Sequence, residues 1–162
     1  VYKRQAHDMA KVIFEGIKSL KPKEDRTLIA IAGPPGSGKS TVAEIVTDLM
    51  NKNLMKTSLI PMDGFHFSKA KLRELDPPDA AKLLPLRGAP QTFDAEAFCA
   101  AVADARRTGR CDAWPTYSRE LSDPVEGGVV LSGDDAIVLC EGNYLLLSDV
   151  SSPRYYRPTL TE

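Results

Sequence analysis

The sequence has little of what would mark a nucleic-acid-binding or membrane protein. Its 21 Lys and Arg residues are matched by 22 Asp and Glu residues, so the formal net charge is −1 and no basic excess is available for nucleic acid or an anionic membrane. No apolar run approaches the roughly 20 residues that span a bilayer, and no signal peptide is visible. These absences favour a cytoplasmic protein that binds neither nucleic acid nor membranes.

Cysteine is also scarce. Cys99, Cys111 and Cys140 are odd in number and lack the spacing of metal ligands. We expect free, mostly buried thiols in a reducing compartment.

The length and composition predict one domain. A chain of 162 residues with 43% apolar content can bury a substantial core but not comfortably two. Residues 1–5 lack an initiator Met and resemble a translated adaptor, so we expect them to be non-native and leave them out of the fold prediction. Residues 148–162 are polar, contain two prolines and are expected to form an irregular tail.

A glycine-rich segment stands out from this ordinary background. It fits the pattern G-x-x-x-x-G-K-[ST] and reads Gly33, Pro34, Pro35, Gly36, Ser37, Gly38, Lys39, Ser40, Thr41. Such a loop points successive backbone N–H groups at a phosphate, and the following helix adds its N-terminal donors. Lys39 can then reach the outer phosphates, and the Ser40 hydroxyl can bind Mg²⁺. The segment predicts a site for ATP or another nucleoside triphosphate with Mg²⁺.

The flanking pattern predicts an α/β protein, a three-layer fold with a parallel sheet flanked by helices. Buried strands are expected over 27–32, 57–60 and 136–140, and helices over 7–20, from the glycine-rich loop to about Met50, over 69–75, and from the N-cap Asp94 to about Arg107. For the first helix, the apolar face is expected to be Met9, Val12, Ile13, Ile17 and Leu20. The Pro- and Gly-containing stretch after Gly109 shows no regular element.

Two carboxylates follow predicted strands. Asp63 comes just after strand 57–60, and Glu141 follows strand 136–140. Parallel strands end at one edge of a sheet, where ligands bind, so both should lie beside the loop that begins at Gly33. Asp63 could accept a hydroxyl proton from a substrate, and Glu141 could bind Mg²⁺. The alternatives are a turn aspartate and a structural ion pair.

Four further side chains are candidates for binding the substrate. His66 lies near Asp63, and Arg87 could clamp an anionic or a hydroxylated substrate. Tyr117 and Arg119 belong to a polar and aromatic loop suited to lining a pocket. For each of the four, a solvated loop residue is the alternative.

Several motifs together resemble the uridine kinase, phosphoribulokinase and pantothenate kinase branch of P-loop kinases. Besides 33–41, they are Met-Asp-Gly-Phe-His (62–66), Arg-Gly-Ala-Pro-Gln-Thr-Phe-Asp (87–94), Pro-Thr-Tyr-Ser-Arg (115–119) and Val-Leu-Cys-Glu-Gly-Asn-Tyr-Leu-Leu-Leu (138–147). The last two look most like bacterial nucleoside/nucleotide kinase family proteins, some of them fructokinase-like. The likeness covers roughly residues 10–147.

The resemblance implies ATP- and Mg²⁺-dependent phosphorylation of a small hydroxylated metabolite. Asp63 matches the hydroxyl-activating aspartate, and Glu141 matches the acidic residue at the strand end. His66, Arg87, Tyr117 and Arg119 fall where the family lines its acceptor pocket. After Leu147 the family continues through a helix, a strand and an arginine-bearing lid, so we expect a C-terminally truncated fragment without that lid.

Two other classes compete with a kinase. A regulatory GTPase or motor ATPase would share the phosphate loop, but the chain has neither N-K-x-D nor D-x-x-G. A nucleotide-binding or NTP-hydrolysing protein without acceptor activity is the other alternative. The acceptor and the oligomeric state are left open by the sequence.

Overall fold

A computed structural model describes residues 2–20, 26–75 and 82–145, so the predicted tail 148–162 lies outside the described residues. The helices are α1 (Tyr2–Ser19), α2 (Lys39–Lys52), α3 (Lys69–Glu74) and α4 (Ala95–Thr108). The strands are β1 (Thr27–Ala32), β2 (Thr57–Pro61), β3 (Arg110–Ser118), β4 (Asp123–Ser132) and β5 (Ile137–Gly142). Short 3₁₀ turns occupy Met62–Phe65, Leu84–Leu86 and Pro90–Thr92.

The predicted parallel sheet is confirmed, and its strands lie in the order β1-β5-β2. Its register sets Ala32 opposite Gly142 and Pro61 opposite Glu141. The carboxyl ends of all three strands therefore meet at one edge, where the phosphate loop and the 62–65 turn begin.

Alternate residues of β5 lie on opposite faces of the sheet, as the two-residue period of a strand requires. Leu139 packs with α1 and α2, while Val138 and Cys140 pack with the core formed by α4 and the β3–β4 hairpin. The sheet is thus covered on both sides, which accounts for the continuous apolar composition of β5.

The predicted apolar face of the first helix was partly wrong. The helix begins at Tyr2, so most of the excluded residues 1–5 form its first turn. Ile17 is buried as expected, but Met9, Val12 and Leu20 are more than half exposed. Ala10 and Phe14 are buried instead, because the stripe through positions 10, 14 and 17 packs against α2.

The stretch after Gly109 forms an antiparallel hairpin, β3–β4, where the sequence predicted no regular element. Tyr117 therefore lies in a strand and not in a loop. Pro115 within β3 and the Gly127–Gly128 pair in β4 weaken the strand signal, and the register shifts on either side of Trp114 interrupt its alternation.

The predicted N-cap and C-terminal end of α4 are confirmed. The Asp94 side chain accepts a hydrogen bond from the Ala97 backbone N–H at 2.9 Å, and Gly109 ends the helix with φ 70°. The three cysteines are free, and Cys140 is buried while Cys99 and Cys111 are half-buried. No helix in the described part of the chain is both long and apolar enough to cross a membrane.

Candidate active site

The loop between β1 and α2 has the shape of an anion cradle. Gly36 and Gly38 adopt φ values of 77° and 81°, which other residues rarely adopt. A Cβ on Gly33 would lie 2.9 Å from the Ser37 hydroxyl oxygen, so a larger residue there would require the serine side chain to move. The Val42 N–H donates to the Gly38 carbonyl at 3.0 Å and opens the helix. A glycine-rich turn of this shape before a helix N-terminus is suited to binding a phosphate.

Glu141 is buried at the carboxyl end of β5, with 4% of its surface exposed. Its Oε2 accepts a hydrogen bond from the Ser40 hydroxyl at 3.2 Å, which joins the first turn of α2 to the central strand. Burial raises the pKa of Glu141, and the Asp63 charge adds to this, while Lys39 and the Ser40 hydrogen bond act in the opposite direction. A cation placed between these groups would relieve the cost of the buried charge.

Asp63 lies in the 62–65 turn, on the side of the sheet edge next to Glu141. Its Oδ1 is buried and has no hydrogen-bond partner in the described structure. A buried carboxylate oxygen without a donor is costly, so an orphan of this kind points to a ligand group. A substrate hydroxyl would supply the missing donor.

The turn that carries Asp63 is fixed by contacts with the hairpin. A Cβ on Gly64 would lie 2.0 Å from the Pro115 carbonyl oxygen, so only glycine allows this approach. The Trp114 indole N–H donates to the Pro61 carbonyl at 2.9 Å. The ring of Phe65 also packs edge-on against Trp114 at 5.1 Å between centroids. Asp63 is therefore held between the parallel sheet and β3.

His66 is the first member of a stack of side chains beside Asp63. Its ring lies 3.8 Å from Phe93 and 5.1 Å from Tyr117, measured between centroids. Burial lowers the pKa of His66, and Arg87 also lowers it, against opposing effects of Asp63 and the Thr92 backbone. His66 Nδ1 is buried without a hydrogen-bond partner in the described structure. A neutral imidazole therefore faces the site with one nitrogen unused.

Arg87 ends this stack and is largely engaged by the hairpin. Its Nη2 donates to Asp123 Oδ1 at 2.7 Å, its Nη1 donates to the Ser122 carbonyl, and the guanidinium lies 5.3 Å from the Tyr117 ring centroid. Only Nε is buried without a hydrogen-bond partner within the described ranges. Arg87 is thus oriented by the protein before any substrate binds.

Of the four residues predicted to line the acceptor pocket, the structure brings three together. His66, Tyr117 and Arg87 follow one another in the stack. Arg119 instead lies exposed in the turn after β3, where its carbonyl accepts a hydrogen bond from the Ser122 hydroxyl at 3.2 Å. Its role in substrate binding stays a prediction.

Two residues were missed by sequence reasoning. Asn143 follows Glu141 and Gly142, and its Oδ1 is buried with no hydrogen-bond partner in the part of the chain that the structure describes. A polar residue directly after an acidic strand end was the available signal. No local sequence pattern marks Asp123, because its contact is with Arg87, 36 residues earlier in the chain.

The oxygen atoms of Ser40 and Glu141 suit a Mg²⁺ ion that is also bound by phosphates. They do not form a metal site built from protein side chains alone. Within residues 2–20, 26–75 and 82–145, no group of three or more His, Cys, Asp or Glu side chains could hold a metal ion. Mg²⁺ commonly takes one or two carboxylates plus substrate phosphates and water. The Ser40–Glu141 pair beside the cradle matches that description.

Comparisons with known proteins show which proteins this chain resembles. The chain matches no protein-family model. It is 39% identical over 128 residues to the "putative uridine kinase" of Schizosaccharomyces pombe, an alignment that covers 77% of this chain and 54% of that protein. It is 32% identical over 118 residues to the pantothenate kinase of Myxococcus xanthus, covering 71% of this chain and 35% of that protein. The chain thus spans about half the length, or less, of these curated relatives.

A solved structure gives the same result. The "putative fructose transport system kinase" from Silicibacter sp. superposes with a TM-score of 0.76 at 29% identity, over 87% of this chain and 66% of that one. The resemblance read from the motifs is therefore confirmed: this chain has the fold of P-loop kinases, and its relatives include proteins named as uridine and pantothenate kinases.

Proposed function

We propose that this chain transfers the γ-phosphate of ATP to a hydroxyl group of a small metabolite. The observation that carries the proposal is the meeting of Lys39, Ser40, Glu141 and Asp63 at one edge of the sheet, linked by the Ser40–Glu141 hydrogen bond and by the effect of the Asp63 charge on Glu141. A phosphate cradle next to an unpartnered carboxylate oxygen is what phosphoryl transfer to a hydroxyl requires.

Each group has a separate task in this mechanism. Backbone N–H groups of Gly36, Gly38 and the first residues of α2 bind the phosphates, and Lys39 contacts the outer ones. Ser40 and Glu141 hold Mg²⁺, which when bound neutralises charge on the transferred phosphoryl group. Asp63 accepts a hydrogen bond from the acceptor hydroxyl, aligns it for attack and takes its proton. Because a carboxylate is a weak base, alignment is the larger part of this task.

His66, Arg87, Tyr117 and Arg119 are proposed to bind the acceptor. Support comes from the unpartnered nitrogens of His66 and Arg87, which lie on either side of Tyr117 in the stack. The near-neutral net charge and the comparison with metabolite kinases support a cytoplasmic enzyme acting on a small molecule.

The test is an ADP-release screen of the chain with ATP and Mg²⁺ against uridine, cytidine, fructose, pantothenate and ribulose 5-phosphate. Acceptor-dependent ADP release supports the kinase. ADP release that is the same with and without every acceptor would favour a nucleotide hydrolase instead. Tight GTP binding without competition from ATP would favour a GTPase and contradict the proposal.

A further inference from the structure

Tyr144 lies just beyond the end of β5 and contacts the segment that carries Arg87. It is half-buried and follows Glu141 by three residues. Its hydroxyl donates a hydrogen bond to the Gly88 carbonyl at 2.6 Å. Its ring packs edge-on with the Phe93 ring, at 5.4 Å between centroids and an interplanar angle of 80°. One side chain at the end of the central strand therefore contacts that segment at two points.

The first point of contact is a tight turn directly after Arg87. Gly88 has a φ of 97°, a value that other residues rarely adopt. The Gly88 N–H donates to the Thr92 hydroxyl at 3.0 Å, and that hydroxyl donates to the Ala89 carbonyl at 2.7 Å. Thr92 is fully buried. The turn is thus closed from within by Thr92 and held from outside by Tyr144, and together they set where the Arg87 backbone lies.

The second point of contact leads to His66. Phe93 stacks against the His66 ring at 3.8 Å between centroids, and the two residues also form an antiparallel β-bridge. Without the Tyr144 ring, Phe93 would be free to tilt and water could reach the imidazole, whose pKa burial lowers. Tyr144 therefore supports both His66 and Arg87, the two acceptor-binding candidates that have an unpartnered nitrogen within the described ranges.

The segment that carries Arg87 needs support from outside because it is irregular. Residues 84–94, all of them described by the structure, contain two short 3₁₀ turns and neither a strand nor an α-helix before α4. A binding side chain on an irregular segment is held less precisely than one on a strand. The hairpin fixes the Arg87 guanidinium, but the backbone next to it is held by Tyr144. Tyr144 follows β5, which pairs with both β1 and β2.

The stretch 141–144 also contacts the phosphate side of the site. Glu141 accepts the hydrogen bond from Ser40, and the Gly142 carbonyl accepts one from the Gly33 N–H at 3.4 Å. The acceptor side is therefore fixed relative to the phosphate loop through four consecutive residues. Phosphoryl transfer requires the attacking hydroxyl to lie in line with the phosphate, so a fixed spacing between the two sides favours the reaction.

We propose that Tyr144 is a positioning residue for the acceptor. Its hydroxyl places Arg87 by holding the neighbouring backbone carbonyl, and its ring places His66 through Phe93. The inference rests on the proposed function, because Arg87 and His66 are acceptor-binding residues in that proposal.

Two variants separate the hydroxyl of Tyr144 from its ring. Tyr144→Phe removes the bond to Gly88 and keeps the ring on Phe93, whereas Tyr144→Leu removes both contacts. Thr47→Val is the matched control, because it also removes a part-buried hydroxyl that donates to a backbone carbonyl, that of Ala43 at 2.8 Å in α2. Thermal unfolding reports whether each variant folds, and Tyr144→Phe tests the hydroxyl even if Tyr144→Leu does not fold.

Two measurements need no acceptor. The first is the NMR exchange rate with water of the Arg87 Nε–H, which is buried; its signal is identified by its absence in Arg87→Lys. The second is the pKa of His66, followed through the imidazole ¹⁵N shifts in a chain with two histidines. Calorimetry then gives the Kd for ATP. Release of ADP gives kcat/KM for uridine, cytidine, fructose, pantothenate and ribulose 5-phosphate.

Tyr144→Phe should speed exchange of the Arg87 Nε–H and lower kcat/KM for each compound that is turned over. Both changes should be about three- to tenfold, the scale of one hydrogen bond. The Kd for ATP and the pKa of His66 should stay at the wild-type level, as every value should in Thr47→Val. Tyr144→Leu should also raise the pKa of His66 toward its ordinary value, because water reaches the imidazole.

In Tyr144→Phe, an Arg87 exchange rate or an acceptor kcat/KM at the wild-type level would overturn the inference. An ATP affinity weakened by the same factor would also overturn it, because that pattern indicates general loosening of the site. Failure of the wild type to turn over any of the five compounds would contradict the proposed function for them. The exchange of Arg87 and the pKa of His66 would then still decide whether Tyr144 positions these two residues.

Discussion

The Ser40 hydroxyl donates a hydrogen bond to Glu141 Oε2 across 3.2 Å, between residues that are 101 positions apart. Ser40 lies in the first turn of the helix after the phosphate loop, and Glu141 is the second-last residue of the central strand of the sheet. The pair holds a hydroxyl and a carboxylate beside the cradle, which is the arrangement that the Mg²⁺ site of the proposed kinase needs.

Replacing Lys39 with alanine should weaken ATP binding about tenfold or more and lower turnover, because a charged donor to the outer phosphates is lost. Calorimetric titration with ATP and ADP release measure the two effects. Lys52→Ala, at the exposed far end of the same helix, is the matched control and should change neither. Equal ATP affinity in wild type and Lys39→Ala would remove Lys39 from the site.

The variant Asp63→Asn should lose acceptor-dependent ADP release by roughly 10²- to 10⁴-fold, the usual contribution of general acid–base catalysis. ATP binding should be retained, because Asp63 lies outside the 33–41 loop and its proposed partner is the acceptor hydroxyl. Asp48→Asn on the exposed face of α2 serves as the control. Turnover that stays at the wild-type level in Asp63→Asn would exclude the proposed role.

The buried carboxylate of Glu141 should cost stability at neutral pH. Its pKa is raised in the folded chain, so the folded state binds more protons than the unfolded state as pH rises above the ordinary glutamate value of about 4.3. Stability should therefore fall as pH rises through that window. Glu141→Gln should flatten this dependence and raise the thermal midpoint at pH 7, while it weakens the response of activity to Mg²⁺.

Thermal unfolding between pH 4 and pH 8 checks this prediction, with magnesium titrations of ADP release beside it. Glu126→Gln, an exposed position of β4, is the control and should follow the wild-type curve. A Glu141→Gln protein less stable than wild type at pH 7 would show that the carboxylate stabilises the fold.

Gly64 should tolerate no side chain. A Cβ there would lie 2.0 Å from the Pro115 carbonyl oxygen, so Gly64→Ala must push the hairpin away from the 62–65 turn. We expect a loss of about 1–3 kcal/mol in the free energy of unfolding, with reduced acceptor-dependent activity. Gly16→Ala, which meets nothing within 4 Å in α1, should instead stabilise the chain by about 0.5–1 kcal/mol. Denaturant titration compares the two, and similar free energies would contradict the tight contact.

The parts of the fold with strong local signals were predictable from sequence. The apolar run before Gly33 and the periodic residues after Lys39 gave β1 and α2, and Asp94 and Gly109 gave the limits of α4. The rule that parallel strands end at one edge of a sheet also predicts that Asp63 and Glu141 lie close together.

The hairpin and its contribution to the site were not predictable in this way. β3 contains Pro115, much of β4 is exposed, and neither shows a clear alternation. The roles of Asp123 and Asn143 depend on pairing and burial that only the folded chain creates. Local sequence patterns do not reveal such long-range contacts. For this reason, fewer residues of the proposed acceptor side could be predicted than of the phosphate side.

The strand order β1-β5-β2 has a consequence for how the chain folds. β1 and β2 are not neighbours in the sheet, and each pairs with β5 (137–142). β5 follows β1 by about a hundred residues in the sequence, so it is synthesised much later. The Gly33 N–H is likewise held by the Gly142 carbonyl at 3.4 Å. During synthesis, the nucleotide cradle therefore cannot be completed until residue 142 has left the ribosome. Pairing at such sequence separation makes closure of the sheet a slow step.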